Sequence, residues 1–262
     1  MRYTGGSKWK KHQLMQKRKE LQPHLPATEK YTHTMLLNFL KEYNQVMVKP
    51  VIGRRGRNIL KVTQLENNKF EVQERSHKVT YSSRDKMLAF IYKYISTRKH
   101  PLQRNYIVQR YIDLAEYNNS PFDIRVIVQK RKVTKNWEAT GMVTKVAGKG
   151  YIVTNNKISK GIILPVPEAL KKASIDPSVS RKKIMEEAER VSLLAAKRLA
   201  VRWKKHTIMG FDIGVDKGGH VWVIEGNLCP GIRNFNKLTD KTMYRRIKKI
   251  RKEHEKRVPG TS

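Results

Sequence analysis

The amino-acid sequence predicts an α+β protein in which most strands are antiparallel. Two long runs with strand patterns, 122–131 and 137–147, follow one another, and residues 207–227 have the pattern of a hairpin. The strongest helical period covers 179–204, where apolar residues recur on one face. Of the 262 residues, 39% are hydrophobic, which is enough for one or two domains with a buried core.

The amino-terminal half begins with two predicted helices, at 7–20 and 32–42, and Pro23 closes the first of them. A short apolar strand at 45–50 then leads into a loop rich in glycine and arginine at 51–58. The remaining elements predicted in this half are alternating strands at 60–65, 69–74 and 78–81, a helix at 84–97 and a buried strand at 105–112.

The carboxy-terminal half is predicted to contain mainly strands, the long helix and a basic helix at its end. A polar turn at 116–120 precedes the two long strands, and a further short strand is predicted at 151–155. The helix at 179–204 leads to the hairpin, and the basic final helix lies near 239–256. We find no internal repeat and no low-complexity linker.

The charge balance is strongly basic. The chain has 56 Lys and Arg against 22 Asp and Glu, a formal net charge of +34. Such a field attracts polyanions, but it does not determine a fold. Basic clusters at 8–19 and 241–257 suit salt-sensitive contacts with phosphates, and the alternative is that they are solvated helix faces. No nucleic-acid-binding motif accompanies them, so nucleic acid is a less favoured partner.

Several classes of protein are excluded by what the sequence lacks. Met1 to Glu20 is basic and amphipathic without an apolar segment, so no cleavable signal is expected there. No window approaches the roughly 18 apolar residues of a membrane span. The single cysteine, Cys229, excludes an internal disulfide and a cysteine-rich zinc site. We therefore expect a cytoplasmic protein.

The carboxy-terminal hairpin carries the clearest chemical signal. If the turn within 216–219 has two or four residues, Asp212 lies opposite Val223 or Glu225. Asp212, Glu225 and Asn227 then project from one face, at a spacing that suits oxygen ligands of Mg²⁺. The alternative is that Asp212 caps a turn and Glu225 is solvated. Since both lie within apolar runs, where an unpaired carboxylate is unfavourable, metal binding is the preferred interpretation.

A second signal lies at the end of the strand at 45–50. Lys49 precedes Gly53 and Gly56, and a lysine beside a glycine loop suits phosphate binding because glycine lets backbone N–H groups approach. The pattern is not a Walker A motif. The alternative is that Lys49 is one of many surface lysines.

A third signal is the pair Asp123 and Arg125. They are two residues apart in an apolar strand and therefore share one strand face. This placement favours a polar site, and the alternative is a cross-strand ion pair.

The order of these features resembles the ATP-grasp superfamily. More narrowly, VKP with the loop VIGRRGRNI, PFDIRVIVQK, and GFDIGV followed by IEGN are similar to the YheC/YheD endospore-coat-associated family. The resemblance runs from about Lys8 to Gly231. It implies an ATP-grasp fold, in which two α+β subdomains with mostly antiparallel sheets clamp ATP between them. The subdomains would be about 30–108, with the glycine loop, and about 109–262, with 1–29 packing on the second.

The resemblance also implies a role for each residue of the site. Lys8 and Lys49 would hold the ATP phosphates, under a loop that includes Gly53, Arg55 and Gly56. The backbone of Gln109, Arg110, Tyr111 and Ile112 would meet adenine, Asp123 would lie near the ribose and Asn155 near the phosphates. Arg125 would stabilise the acyl phosphate, Lys145 stands where related ligases often have arginine, and Asp212, Glu225 and Asn227 would hold two Mg²⁺ ions.

The implied activity is an ATP-dependent joining of a carboxylate to an amine. The net charge of +34 separately predicts an acidic acceptor or partner, such as a glutamate-rich peptide or an anionic coat polymer. The resemblance also implies a short form that lacks the usual amino-terminal domain, and residues 159–161 read SKG where the family tends to have two glycines. Two alternatives stay open: a catalytically silent structural protein of the spore coat, and a basic polyanion-binding protein. The family association extends the expected location to the spore or spore coat of a Gram-positive endospore former.

Overall fold

The computed structural model describes residues 6–53, 56–98, 104–154 and 159–255. Its strands form two sheets, and every pair of neighbouring strands is antiparallel. This arrangement confirms the predicted α+β class.

The first sheet is built from the amino-terminal half of the chain, in the spatial order β1-β6-β2-β3-β4-β5. Its strands are β1 (Thr28–Lys30), β2 (Gln45–Pro50), β3 (Leu60–Gln64), β4 (Phe70–Glu74), β5 (His77–Tyr81) and β6 (Tyr106–Arg110). The second sheet has the order β10-β9-β8-β11-β12, and β7 pairs with β8. Its strands are β7 (Glu116–Tyr117), β8 (Ser120–Lys130), β9 (Trp137–Val146), β10 (Ile163–Leu164), β11 (Ile208–Val215) and β12 (Val221–Asn227).

Six α-helices lie in the described part of the chain: α1 (Lys8–Gln16), α2 (His33–Tyr43), α3 (Arg84–Ser96), α4 (Val166–Lys171), α5 (Arg181–Ala200) and α6 (Thr242–Glu255). Ser7, Thr32, Ser83 and Ser180 begin four of them by accepting a hydrogen bond from a backbone N–H of the first turn. Such caps stabilise a helix by about 1 kcal/mol each. No helix within these residues has the length and apolar character that a membrane crossing requires.

Each sheet has its own hydrophobic core. On the first sheet, buried residues of α2 and α3 such as Leu36 and Met87 pack on Val48 and Val62. The second sheet is covered on one face by α1 and α5, and the buried residues of α5 include Val191. On its other face, a smaller cluster of Ile127, Val143, Phe235, Leu238 and Ile247 holds α6. The polar face of the second sheet that α6 leaves uncovered is where the site lies.

Two predicted elements differ from the structure. The helix predicted at 7–20 ends at Gln16, because Arg18 adopts an extended backbone and a 3₁₀ helix, Lys19–His24, then buries Leu21. The strand predicted at 151–155 is wrong for residues 151–154, which pair with no strand. There the backbone N–H of Ile152 donates to Arg75 O at 3.3 Å, so the segment crosses to the first sheet instead.

The division into subdomains at 108 and 109 stays a prediction. That boundary falls within β6, which is hydrogen-bonded to both β1 and β2. Helix α1, from the segment predicted to pack on the second subdomain, contacts both α5 and β12.

Candidate active site

A cleft with a volume of about 590 Å³ lies between the two sheets. Every predicted site residue within the described part of the chain lines it: Lys8, Lys49, Gly53, Gly56, Gln109, Arg110, Tyr111, Ile112, Asp123, Arg125, Lys145, Asp212, Glu225 and Asn227. The other two predicted residues, Arg55 and Asn155, lie outside the described residues. The structure thus brings the predicted set together, while the roles given to its members remain predictions.

Lys49 reaches the cleft from β2 and has a neutral hydrogen-bond partner. Its Nζ donates to Gln109 Oε1 at 2.5 Å, and Gln109 Nε2 donates to Thr28 Oγ1 at 2.8 Å. The strand order places β2, β6 and β1 side by side, which brings the three side chains into line. Because the ammonium group is buried, its pKa is lowered to about 8.

Helix α1 brings two more lysines to the cleft. Lys8 Nζ donates to Gly53 O at 3.3 Å and lies 3.4 Å from Glu225 Oε1. Lys11 Nζ donates to Gly226 O at 2.6 Å, and burial lowers the pKa of Lys11 to about 8. Sequence reasoning missed Lys11, although residues three apart share a helix face and its spacing from Lys8 could have indicated it.

Three adjacent strands of the second sheet hold a network of buried charges. Arg125 on β8 donates Nε and Nη2 to Asp212 Oδ1 and Oδ2 on β11, at 2.7 and 2.9 Å. Lys145 Nζ on β9 lies 2.8 Å from Asp123 Oδ1 and 2.8 Å from Asp212 Oδ1. The ion-pair alternative for Asp123 and Arg125 is therefore present in the structure, and it lies within the cleft.

The two carboxylates of this network respond differently to burial. Burial would raise the pKa of Asp212, but Arg125 and Lys145 outweigh it and hold that pKa well below its usual range. At Asp123, burial dominates and raises the pKa, although Lys145 opposes it. Thr154 also donates a hydrogen bond to Asp123 Oδ2. At neutral pH, Asp212 is the more firmly charged of the two.

The hairpin places Asp212 opposite Glu225, as predicted, but not by the predicted turn. Three residues, 217–219, separate Asp216 from His220, whose backbone groups pair, and Gly219 has the positive φ of 80° that this turn requires. An odd loop alone would place Asp212 opposite Ile224. A bulge beside Asp212 shifts the register so that it pairs with Glu225 instead.

Asp212, Glu225 and Asn227 form a donor set with two carboxylates and one amide, the oxygen chemistry that Mg²⁺ prefers. The oxygens of Asp212 already accept four hydrogen bonds, two from Arg125, one from Lys145 and one at 3.3 Å from Asn227 Nδ2. Within the described residues, no group of three His, Cys, Asp or Glu side chains could hold a metal ion. An ion held by this set would need phosphate oxygens as further ligands, and it would have to replace a donor at Asp212.

Residues 109–112, whose backbone is predicted to meet adenine, line the cleft and also make contacts through their side chains. The backbone N–H of Tyr111 donates to Gln45 O at 3.1 Å, so this group is already used within the fold. The Arg110 guanidinium lies 5.5 Å from the Tyr43 ring centre and 5.4 Å from the Trp222 ring centre. Its side chain therefore connects helix α2 with strand β12 of the second sheet.

Comparison with known proteins decides the family. The family described as YheC/D like ATP-grasp matches residues 2–253. The chain belongs to this family. Two relatives of this ATP-grasp chain come from Bacillus subtilis (strain 168). Endospore coat-associated protein YheD is 28% identical over 243 residues, and endospore coat-associated protein YheC is 21% identical over 235 residues.

These alignments cover 88% and 87% of the ATP-grasp chain, but only 49% of YheD and 61% of YheC. Among solved structures, the chain is similar to a biotin carboxylase–β-γ-ATP complex from Campylobacter jejuni (TM-score 0.58, 15% identity). It is also similar to the biotin carboxylase domain of 2-oxoglutarate carboxylase from Hydrogenobacter thermophilus, solved with MgADP, ADP and bicarbonate (TM-score 0.56, 14% identity). Each covers 98% of this chain and 47% of the solved chain, and at this identity the likeness establishes the ATP-grasp fold alone.

Proposed function

We propose that this ATP-grasp protein binds Mg-ATP in the cleft and joins a carboxylate to an amine through an acyl phosphate. The observation that carries the proposal is that two lysines and a network of paired charges face each other across one cleft. Lys8 and Lys49 enter it from α1 and the first sheet, and the Arg125–Asp212–Lys145 network faces them from the second sheet.

The lysines suit a triphosphate because, among the described residues, Lys8 has one carboxylate within 4.0 Å and Lys49 has none. Lys49 donates to an amide rather than to a carboxylate, and its burial makes the charged form unfavourable without an anion. In the described part of the chain, the ion-pair partner of Lys8 is the partly exposed carboxylate of Glu225, at 3.4 Å. An anionic phosphate would therefore supply the charge balance that the protein leaves incomplete.

The proposed reaction has two displacements. A carboxylate oxygen attacks the γ-phosphorus of ATP, the bond from that phosphorus to the β,γ-bridging oxygen breaks, and ADP leaves. An amine nitrogen then attacks the acyl carbon, the bond from carbon to the phosphate oxygen breaks, and the amine loses a proton as phosphate leaves. Arg125 and Lys145 would hold the oxygens that gain negative charge in both steps, which is electrostatic stabilisation by fixed cations.

Magnesium, when bound, would neutralise phosphate charge and orient the triphosphate. Glu225, Asp212 and Asn227 are the residues that would hold it. The names of the relatives support a site of action in the endospore coat.

One observation favours a second candidate function, a structural coat protein that retains the fold without turnover. The four hydrogen bonds to Asp212 and the low pKa of its carboxyl are properties of a stable internal ion-pair network. Such a network holds the sheet together even if no metal ion binds.

Trapping with hydroxylamine separates the two candidates. Purified protein is given Mg-ATP, hydroxylamine and a carboxylate chosen from glutamate, glutamate peptides and polyglutamate, and hydroxamate and ADP are measured. The ligase proposal expects both products in equal amounts with the wild type. Glu225→Ala should abolish them, whereas Lys217→Met, which removes an exposed ion pair with Asp113, should not.

Calorimetry with Mg-ATP completes the test. Metal-dependent binding that Glu225→Ala removes, together with no hydroxamate from any carboxylate, would favour the structural candidate. Equal Mg-ATP affinity in wild type and Glu225→Ala would contradict the proposed metal site.

A further inference from the structure

Three segments without any acidic residue meet at one end of the cleft. They are residues 8–19, 197–206 and 228–234, and together we call them the basic rim. Arg198 Nε donates to Leu14 O at 2.8 Å, which joins the first two segments. His206 Nε2 lies 4.0 Å from Cys229 Sγ, which joins the second and third.

Gly6, just before the first segment, closes the arrangement. A Cβ at this position would lie 3.2 Å from the Trp203 ring and 3.1 Å from Leu228, so Gly6 lies against both the second and the third segment.

Many of the basic side chains of the rim are exposed. Its exposed basic side chains are Lys10, Lys17, Lys19, Lys197, Arg202, Lys204, Lys205 and Arg233. Since exposed charges act over about 8 Å at physiological ionic strength, neighbouring cations of one rim add their fields while those of a distant helix do not. The three segments hold 12 of the chain's 56 Lys and Arg residues and no Asp or Glu, so the rim is a locally basic surface with a definite position.

This surface is continuous with the cleft. Lys8 and Lys11 of the first segment line the cleft, and so do Cys229 and Arg233 of the third. Arg233 is exposed, and among the described residues it has no ion-pair partner within 4.0 Å. An anion held on the rim would therefore meet Arg233 at the entrance to the charged network.

We propose that the basic rim binds a glutamate-rich peptide or polymer and directs one of its side-chain carboxylates past Arg233 into the cleft. The inference rests on the proposed function, because it names the class of carboxylate that would be phosphorylated. In a flexible polymer that carries many carboxylates, most of these groups would be attracted by the rim while one of them enters the cleft and reacts.

A nucleic acid matches the rim less well. Among the described residues of the rim, Val201 is the strongly exposed large apolar side chain, whereas Trp9 and Trp203 are half-buried, which limits the aromatic surface on which bases could stack. A nucleic acid would be held by phosphate contacts alone and would bring no carboxylate to the cleft.

Two triple variants of equal net charge test the position of the surface. The rim variant is Arg202→Gln, Lys204→Gln and Lys205→Gln, and its matched control is Lys248→Gln, Lys249→Gln and Lys252→Gln on the exposed side of α6. None of the six side chains lines the cleft. The anisotropy of labelled poly-L-glutamate measures binding at 50 mM and 150 mM salt, with melting temperatures as the check on folding.

We expect the rim variant to bind polyglutamate at least about tenfold more weakly than the wild type at 50 mM salt, as three exposed charge contacts of up to about 1 kcal/mol each would give. The control should stay within about twofold, because screening confines each exposed charge to its own neighbourhood. Wild-type binding should weaken steeply at 150 mM salt. Equal losses in both variants, or no wild-type binding at 50 mM, would overturn the proposal, and so would duplex DNA that displaces polyglutamate at matched charge.

Calorimetry with Mg-ATP on the same variants separates this inference from the proposed function. The rim variant should keep wild-type Mg-ATP affinity, since its three changes lie outside the cleft. If the wild type bound no ATP while polyglutamate binding still required the rim, the docking surface would stand and the ligase proposal would fail.

Discussion

Lys49, which is buried, and Arg125, which is partly buried, are cations that face the same cleft from different sheets, yet the protein balances their charges differently. Arg125 makes two charge-assisted hydrogen bonds to Asp212, whereas Lys49 donates to the amide oxygen of Gln109. Burial lowers the pKa of Lys49 to about 8, whereas Asp212 raises the pKa of Arg125 despite its burial.

The difference separates two roles that buried charge can have. A cation paired with a carboxylate belongs to the folded structure, and removing either partner leaves the other buried and unbalanced. A buried cation with a neutral partner contributes little to stability or opposes it. Such a cation interacts most favourably with an anionic ligand, because no protein carboxylate already balances its charge. We therefore expect the second sheet to respond to mutation through stability and the first sheet through ligand binding.

The largest expected effect is on stability. Arg125→Met removes two hydrogen bonds from Asp212 and should lower the free energy of unfolding by about 3–5 kcal/mol, the usual result of breaking a buried ion pair. Lys49→Met should change it by less than about 1 kcal/mol at pH 7, since the relief of a buried charge offsets the lost hydrogen bond. Urea denaturation of the unliganded proteins measures both.

Lys217→Met, which removes the exposed pair with Asp113, is the control for a lost ion pair without burial and should have little effect. If Lys49→Met proved as destabilising as Arg125→Met, Lys49 would be structural and the comparison would fail.

The next effect is a pH dependence specific to Lys49. Because its pKa is about 8 in the folded state, against the ordinary lysine value of 10.5, the unfolded chain binds more protons between these values, and stability rises with pH there. Below pH 8 the group is protonated in both states, and its destabilising effect is complete. The free energy of unfolding of the wild type, minus that of Lys49→Met, should rise by about 3 kcal/mol from pH 7.5 to 10.5.

This difference removes the contribution of Lys11, whose pKa is lowered in the same way in both proteins. If the difference in free energy of unfolding did not change over this pH range, Lys49 would have an ordinary pKa and its burial beside an amide would not disfavour its charged form.

The smallest expected effect concerns the ligand. Lys49→Met should weaken Mg-ATP binding by about tenfold or more, which corresponds to the loss of one hydrogen bond to a charged group, about 1.5–3 kcal/mol. Calorimetry measures the affinity, and Lys217→Met serves again as the control. Unchanged affinity in Lys49→Met would mean that the lysine does not contact phosphate, whatever its effect on stability.

The sequence alone determined the local elements and the kind of residue at the site. Strands such as β8 and the helix α5 follow directly from the period of their apolar residues, which reflects neighbours within one segment. The even spacing of Asp123 and Arg125 determined that they share a strand face. Lys49, Asp212 and Glu225 stood out because charged residues within apolar runs need partners.

Only the tertiary structure decided which partners those are. Gln109 meets Lys49 and Thr28 because β6 lies between β2 and β1, an order that no local period specifies. The bulge beside Asp212 and the crossing of residues 151–154 to Arg75 likewise depend on distant backbone groups. Local patterns record the burial of a side chain, whereas hydrogen bonds between segments far apart in the chain depend on how those segments are packed. That is why the charged residues of the site could be named from the sequence, but the balance of their charges could not.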